Sequence, residues 1–170
     1  MKRAFSIIEL TIVIVILGIV AALAIPRFTH AAPPPKKALR QSLTVLRTAI
    51  ERYHDQHDAY PGQQSPNDST VPAGAEAFIL QLTKFTNRDG HTSDVRNEVY
   101  RFGPYLTGGI PECPVVADRE AARRLHVVQG DSRPGFIANV SAGWVVNIDT
   151  GDIAANTDLV DAQGLRLDRY

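Results

Sequence analysis

The sequence predicts an α+β protein in which a long hydrophobic N-terminal helix is followed by an amphipathic helix packed on a small antiparallel sheet. An apolar run extends from Phe5 to Ile25 with Glu9 as its one strongly polar side chain after Ser6. Leucines then recur at helical spacing over residues 39–53, and short apolar segments separated by glycine turns follow near the C-terminus. The 170 residues suit one domain plus the N-terminal helix.

The apolar run is long enough to predict a membrane span. Residues 5–25 would form about 30 Å of helix at about 1.5 Å per residue, which matches the hydrocarbon core of a bilayer. Glu9 is the anomaly, because an ionised carboxylate at mid-bilayer costs about 2.5–3.5 kcal/mol. A carboxylate retained at this position is therefore expected to have a partner.

The first ten residues carry a recognisable signal. Residues 2–10 are Lys-Arg-Ala-Phe-Ser-Ile-Ile-Glu-Leu, a basic leader followed by an aromatic residue, apolar residues and a glutamate. This pattern resembles the class III signal of type IV pilins and of the pseudopilins of type II secretion. The resemblance implies a leader peptide at residues 1–4, cleavage by prepilin peptidase between Ala4 and Phe5, and N-methylation of Phe5. Ala4 stands where the family usually has glycine.

The same resemblance assigns roles along the apolar run. It implies a transmembrane and assembly helix at residues 5–27, with a kink at Pro26. Glu9 would pair with the N-terminal amine of an adjacent subunit and set the register of assembly. The expected fold is pilin-like, and the expected function is that of a structural subunit of a type II secretion pseudopilus that drives protein secretion.

The resemblance also implies a location and partners. The chain would cross the bacterial inner membrane once, contact membrane lipid, and place its head in the periplasm before assembly. The expected partners are like subunits in a homopolymer, minor pseudopilins, prepilin peptidase and the inner-membrane platform of the secretion system. The alternatives are a type IV pilus pilin and a non-catalytic binding domain that is Sec-secreted or held by a signal anchor. Cys113 is the sole cysteine, so the C-terminal disulfide of many pilins cannot form.

Three consecutive prolines interrupt the chain after the apolar run. Prolines lack the N–H donor and push the preceding residue away from helix, so residues 28–35 predict a Pro-rich hinge. Pro35 can start the next helix. We expect a globular pilin-like head at residues 36–156 and a tail at residues 157–170 that forms an edge strand or is disordered.

Residues 36–57 predict an amphipathic helix. One face is apolar at spacings of three and four residues, and Val45 and Ala49 widen it. An i,i+4 pair is expected between Arg47 and Glu51. His54 and His57 are interpreted as a solvated helix end, since a metal would need further ligands. The apolar stripe comprises Leu39, Leu43, Leu46, Ile50 and Tyr53.

The remaining segments complete the predicted head. Tyr60-Pro61-Gly62 predicts a turn after the helix, which is similar to the helix and Tyr-Pro turn of major pseudopilins. The Gly-Trp and Thr-Gly-Asp-Ile segments over residues 143–153 resemble the terminal hairpin of those proteins. Short helices are predicted at residues 75–84 and 118–125. Strands are predicted at residues 125–129, 136–140, 143–149 and 153–156.

Composition and motifs exclude several function classes. Eighteen basic residues balance eighteen acidic residues, so no basic surplus indicates nucleic acid. No phosphate loop, metalloprotease motif or nucleophile elbow is present, and we expect no enzyme activity. Major pseudopilins often bind calcium in a C-terminal loop, which makes Asp149, Asp152 and Asp158 weak candidates. Their spacing lacks the EF-hand pattern, so the expectation is no metal and no cofactor, with calcium as the alternative.

Overall fold

The computed structural model describes the backbone of residues 7–28 and 35–170, and the side chains of residues 7–17 and 36–170. The chain divides into two compact units, Met1–Pro33 and Pro34–Tyr170. The first unit contains helix α1, Ile7–Phe28. The predicted hinge lies mostly outside the described residues, since residues 29–34 are not described.

The second unit begins with helix α2, Pro35–His57, which confirms the predicted amphipathic helix and its start at a proline. All five residues of the predicted stripe are at most 2% exposed. Ala49 is also buried, but Val45 is 52% exposed and does not widen the buried face. The predicted pair between Arg47 and Glu51 is not among the ion pairs of the described residues, because Arg47 donates instead to main-chain oxygens of Ile153 and Tyr170.

Short elements make up the rest of the head, and their bounds are as follows: helix α3 is Ala75–Thr83, strand β1 is Phe85–Thr86, strand β2 is Thr92–Ser93, helix α4 is Arg119–Arg123, strand β3 is Leu125–Val128, strand β4 is Trp144–Asn147, strand β5 is Ile153–Ala155, and a 3₁₀ helix covers Leu167–Arg169. The core lies between the stripe of α2, α3 and the strands β4 and β5. Its largest fully buried side chains include Trp144, Phe78 and Leu82.

The prediction of an antiparallel sheet is wrong. β1 and β2 form a small antiparallel pair, but the main sheet has the order β3-β4-β5 and is mixed. β3 runs parallel to β4, with Leu125 opposite Trp144, and β4 runs antiparallel to β5, with Val146 opposite Ile153. Parallel neighbours need a long crossover, and residues 129–143 supply one.

The predicted strand at residues 136–140 belongs to this crossover and forms a loop. Side chains take the place of a neighbouring strand: Phe136 N–H donates to Asp168 Oδ2 at 3.1 Å, and Ile137 N–H donates to Asn156 Oδ1 at 2.8 Å. Asp168 and Asn156 are both buried, so these acceptors are fixed. The backbone polar groups are thereby satisfied without a ladder.

The predicted membrane span also requires correction. Within the described part of the chain, no helix combines the length and apolar content that a membrane crossing needs. The 23-residue helix α2 is long but carries charges along its length. This finding overturns the predicted transmembrane helix, the single-pass inner-membrane location and the periplasmic position of the head.

The tail packs on the head. Leu167 is buried, and its N–H donates to Leu159 O at 2.9 Å. Val160 and Arg166 form an isolated antiparallel bridge, and the 3₁₀ helix contacts β5. The tail therefore contributes to the core and is neither a long edge strand nor a disordered end.

Candidate functional site

The described part of α1 is apolar and exposed around its whole circumference. Ile7 is 82% exposed, and Val13, which is the most covered of its large apolar side chains, is still 44% exposed. Successive residues of a helix are about 100° apart, so residues 7–17 cover every direction around the axis. A helix that is apolar on all sides is stable in an aqueous protein only when other protein surrounds it.

Glu9 is the one carboxylate of residues 7–17 and lies in the first turn of α1. Its side chain is exposed. The N-terminal end of a helix favours a negative charge, because the peptide dipoles align along the axis. The neighbouring polar residue, Thr11, donates its hydroxyl to Ile8 O at 2.8 Å and is satisfied within its own helix. Glu9 is therefore the charged group that this apolar surface presents.

The other predicted processing and assembly residues are described in part or not at all. Ala4 and Phe5 lie outside the described residues. Pro26 lies within the helical range of α1, and its side chain is not described. Their predicted roles in cleavage, methylation and kinking remain predictions.

The Tyr60-Pro61-Gly62 turn is held by a buried glutamine from α3. Gly62 N–H donates to Gln81 Oε1 at 2.7 Å, and Gln81 Nε2 donates to Gly90 O at 3.1 Å. Gln81 is 2% exposed, so both hydrogen bonds are shielded from water. One side chain thus joins the predicted turn to the loop between β1 and β2.

The same turn contacts the C-terminal hairpin. Tyr60 lies so close to Gly151 that a Cβ at residue 151 would be 2.2 Å from the Tyr60 ring. His54 also stacks on Tyr60, with the ring centroids 4.2 Å apart. The Tyr60-Pro61-Gly62 turn and the hairpin at residues 143–153 therefore pack directly on each other.

A second contact joins the hairpin to the middle of the chain. Trp144 is fully buried in β4, and its Nε1 donates to Pro111 O at 2.8 Å. A buried indole N–H needs such an acceptor, since leaving it unpaired would cost about 1–3 kcal/mol. The Ile110-Pro111 segment is thus fixed against the sheet.

The aspartates considered for calcium lie at the β4–β5 turn and beyond. Asp149 Oδ2 accepts a hydrogen bond from Gly130 N–H at 2.7 Å, and Asp152 Oδ2 accepts one from Thr150 Oγ1 at 3.5 Å. Asp158 follows β5 and is exposed. In the described residues, no three His, Cys, Asp or Glu side chains are grouped as a metal would require. The structure gives Asp149 a contact with the β3–β4 crossover and Asp152 a contact within the β4–β5 turn.

His57 is a residue whose environment the sequence prediction missed. It is 4% exposed, and its Nδ1 donates to Arg88 O at 3.0 Å. Nε2 lies 3.0 Å from Thr86 Oγ1 and 3.0 Å from Tyr105 Oη. Burial lowers the pKa of His57 below its ordinary value. Spacing could have revealed this, because His57 follows Tyr53 by four residues and continues the apolar stripe.

The tail forms a charged site against the start of α2. Lys36 Nζ lies 2.6 Å from Asp161 Oδ2, and Tyr170 Oη donates to the same oxygen at 2.6 Å. Asp161 Oδ1 accepts from the N–H groups of Gln163 and Leu165. The hydrogen bond from Lys36, followed by that from Tyr170, holds the pKa of Asp161 well below its usual range.

The described part of α1 presents an exposed apolar surface, over residues 7–17. His57 and Asp161, whose pKa values are lowered, both take part in hydrogen bonds within the head. The chain matches no protein-family model, no curated protein and no solved structure.

Proposed function

We propose that this chain is the structural subunit of a pseudopilus-like filament, processed by prepilin peptidase between Ala4 and Phe5 and polymerised through its N-terminal helix. The observation that carries the proposal is the exposure of the apolar side chains of α1 over residues 7–17. A surface of this kind is used when copies of the helix pack together.

The free energy gained by burying the apolar surface of α1 can be compared with the cost of association. Nine large apolar side chains of this segment are exposed, and complete burial of each is worth about 1.5–3 kcal/mol. Burying about half of that surface would give on the order of 10 kcal/mol, which is comparable with the cost of association. Burial of this surface between copies therefore favours assembly.

Glu9 would supply the register. In an apolar filament core an unpaired carboxylate is strongly unfavourable, and breaking a buried ion pair costs about 3–5 kcal/mol. The new amine of Phe5 in an adjacent subunit is the cation that the cleavage would create. Subunits in any other register would leave Glu9 unpaired, so the pair selects a single arrangement.

The head supports the same proposal through its motif contacts. The packing of Tyr60 on Gly151 joins the two segments whose sequences resemble major pseudopilins. Cys113 is buried and is the sole cysteine, which disfavours the disulfide-closed loop of the type IV pilin alternative.

Intact-mass measurement of the mature chain tests the processing step. The expected result is loss of residues 1–4 together with the addition of one methyl group at Phe5. The sequence Ala22-Leu23-Ala24 has the small-residue pattern of an ordinary secretory cleavage site. Cleavage after Ala24, or no cleavage at all, would contradict the proposal and favour a secreted or anchored binding domain.

Substitution of Glu9 tests the assembly step. Glu9→Gln keeps the shape of the side chain and removes its charge, whereas Glu9→Asp keeps the charge. We expect Glu9→Gln to be processed normally and to enter filaments at least about tenfold less than the natural chain. Thr11→Val, in the same helix, is the matched control and should assemble normally. Normal filaments from Glu9→Gln would refute the role given to Glu9.

A further inference from the structure

The solvent-facing side of α2 has an unusual charge order. Lys37 and Arg40 lie in its first two turns, and Glu51 and Asp55 lie toward its end, with Arg52 beside them. Helix dipoles favour acidic residues at the start of a helix and basic residues at its end. The first turn of α2 contains no acidic residue, so the charges of this helix oppose its dipole.

Two further features make this order unfavourable for the isolated head. Glu51 and Asp55 are like charges at i,i+4, which destabilises a helix. In the described residues, none of Lys37, Arg40, Glu51 or Asp55 is in an ion pair. These charges are therefore available to a partner.

The four residues form one surface. At about 100° per residue they fall within about 60° of a common line along the helix, together with Thr44 and Thr48. All of these side chains are exposed. A shallow groove of about 520 Å³ lies at the basic end, lined by Lys37, Arg40, Gln41, Thr44 and Val45. We call this surface, residues 37–55 on the exposed side of α2, the charged stripe.

Arg40 is positioned to bind a carboxylate. Its guanidinium lies 4.6 Å from the centre of the Tyr170 ring. An arginine stacked on an aromatic ring keeps its planar donors directed outward, and such a fork binds carboxylates with two hydrogen bonds. The tail thus orients Arg40 at the edge of the charged stripe.

We propose that the charged stripe is a contact between copies of this chain, in which Lys37 and Arg40 of one copy bind Glu51 and Asp55 of the next. The inference deepens the filament function proposed above and rests on it for the relative orientation of the copies. Complementary charge on a single continuous surface is the observation that identifies a second copy as the partner.

The spacing of the charges fixes the geometry. Glu51 follows Lys37 by about 14 residues, or about 21 Å of helix, and Asp55 follows Arg40 by nearly the same distance. One axial shift of parallel α2 helices therefore forms both pairs. The two surfaces in this contact are different, so the contact does not close on itself and can repeat along a filament.

Charge reversal tests the contact in the full chain, expressed with prepilin peptidase and pseudopilus assembly proteins. The double variants Lys37→Glu/Arg40→Glu and Glu51→Lys/Asp55→Lys should each lower filament yield at least about tenfold. The variant carrying all four substitutions should assemble with itself and should not mix with the natural chain. Arg96→Glu/Arg119→Glu, at exposed arginines outside the stripe, is the control and should leave the yield unchanged. Unchanged yield in both double variants would overturn the contact.

Cross-linking reports the contact independently of filament yield. A mixture of Gln41→Cys and Asp55→Cys chains should give a covalent dimer in the parallel, shifted arrangement, whereas Thr44→Cys mixed with Thr48→Cys should give none. Cys113 is buried and does not compete. A dimer from the second mixture would indicate an antiparallel pair and overturn the inference.

The remaining outcomes separate this inference from the filament proposal. Filaments that form without the Gln41–Asp55 cross-link would overturn the contact and leave the filament function intact. A cross-link without filaments would support the contact and refute the filament function. The absence of both would overturn both.

Discussion

The two ends of α2 are held to the head by different chemistry. At its start, Lys36 pairs with Asp161, and the Arg40 guanidinium lies 4.6 Å from the centre of the Tyr170 ring, so charged groups attach the tail. At its end, Tyr53 stacks on His57 with ring centroids 4.0 Å apart, and Tyr105 Oη lies 3.0 Å from His57 Nε2. The first end is a charged contact, and the second is an aromatic and neutral one.

The two ends of α2 are therefore expected to respond to different solution conditions, the first to salt and the second to protonation of His57. Lys36 is partly exposed, so part of the charged contact is screened by salt. The aromatic contact is buried and depends on packing and on the neutral form of His57. A substitution at one end of α2 therefore leaves the contacts at the other end as an internal reference.

Truncation of the buried Tyr53 side chain should cause the largest loss of stability. Tyr53→Ala removes a ring that is 2% exposed, and we expect the free energy of unfolding to fall by about 3–5 kcal/mol. Arg40→Ala at the other end removes a ring contact near the surface and should cost less than about 1 kcal/mol. Chemical denaturation followed by Trp144 fluorescence measures both values, and equal losses would contradict the comparison.

Gly151→Ala should cause the next largest loss of stability. The new Cβ would overlap the Tyr60 ring, and residue 151 has a φ of +73°. Gly109→Ala is the matched control, because its φ is +76° and no atom lies within 4 Å of the place that its Cβ would take. Since overpacking costs about 1–3 kcal/mol, we expect Gly151→Ala to lower the free energy of unfolding by about 2 kcal/mol more than the control does. Similar losses of stability in Gly151→Ala and Gly109→Ala would show that the Tyr60 ring moves aside at little cost.

As the pH is lowered, the contacts of His57 at the end of α2 should be lost first, and the contact of Lys36 with Asp161 at its start should be lost second. Burial lowers the pKa of His57, so the neutral form contributes stability above its unfolded value of 6.5, and this is lost as the pH falls below 6.5. The pKa of Asp161 is lowered chiefly by the hydrogen bond from Lys36, so its contribution is lost only as the pH falls below 3.8. Hydrogen exchange of the Thr86 and Leu165 amides should report the two losses separately.

Variants at each end provide the controls for the acid experiment. His57→Gln should remove the change at Thr86 below pH 6.5 and leave Leu165 unaffected. Asp161→Asn should speed exchange at Leu165 by about tenfold at neutral pH, because the charged acceptor is lost. Simultaneous opening of both amides in the natural chain would refute the separation of the ends.

The smallest expected effect comes from swapping the charges of α2. The variant with Lys37→Glu, Arg40→Glu, Glu51→Lys and Asp55→Lys aligns these groups with the helix dipole. Each exposed terminal charge is worth roughly 0.3–1 kcal/mol, and loss of the Arg40–Tyr170 contact offsets part of the gain. The free energy of unfolding should therefore rise by less than about 1 kcal/mol. Thermal unfolding of the unassembled chain measures this change. A loss of stability would mean that the charges already serve the isolated head.

Local patterns predicted much of the head. The period of Leu39, Leu43 and Leu46 predicted α2 and its buried face because helical spacing fixes which side chains share a side. The Tyr60-Pro61 turn followed from turn chemistry, and Gln63 N–H closes it on Tyr60 O at 3.1 Å. These features depend on neighbours in the sequence.

Features that depend on distant residues were not predicted. β3 pairs with β4 across the long crossover at residues 129–143. The loop at residues 136–140 relies on Asp168 and Asn156, which come later in the chain. No local pattern around Phe136 signals those acceptors. Of the candidate site, Glu9 was found as an isolated carboxylate in an apolar run, whereas the exposure of Val45 became evident only from the packing of α2.

The buried thiol of Cys113 gives the molecule a built-in reporter of its own opening. Burial raises the pKa of this thiol to about 11, so at neutral pH the buried group stays in its unreactive thiol form. It is the sole cysteine, and its side chain is 1% exposed. The rate at which a thiol reagent labels the natural chain therefore measures how often the core around Cys113 opens, without any engineered probe.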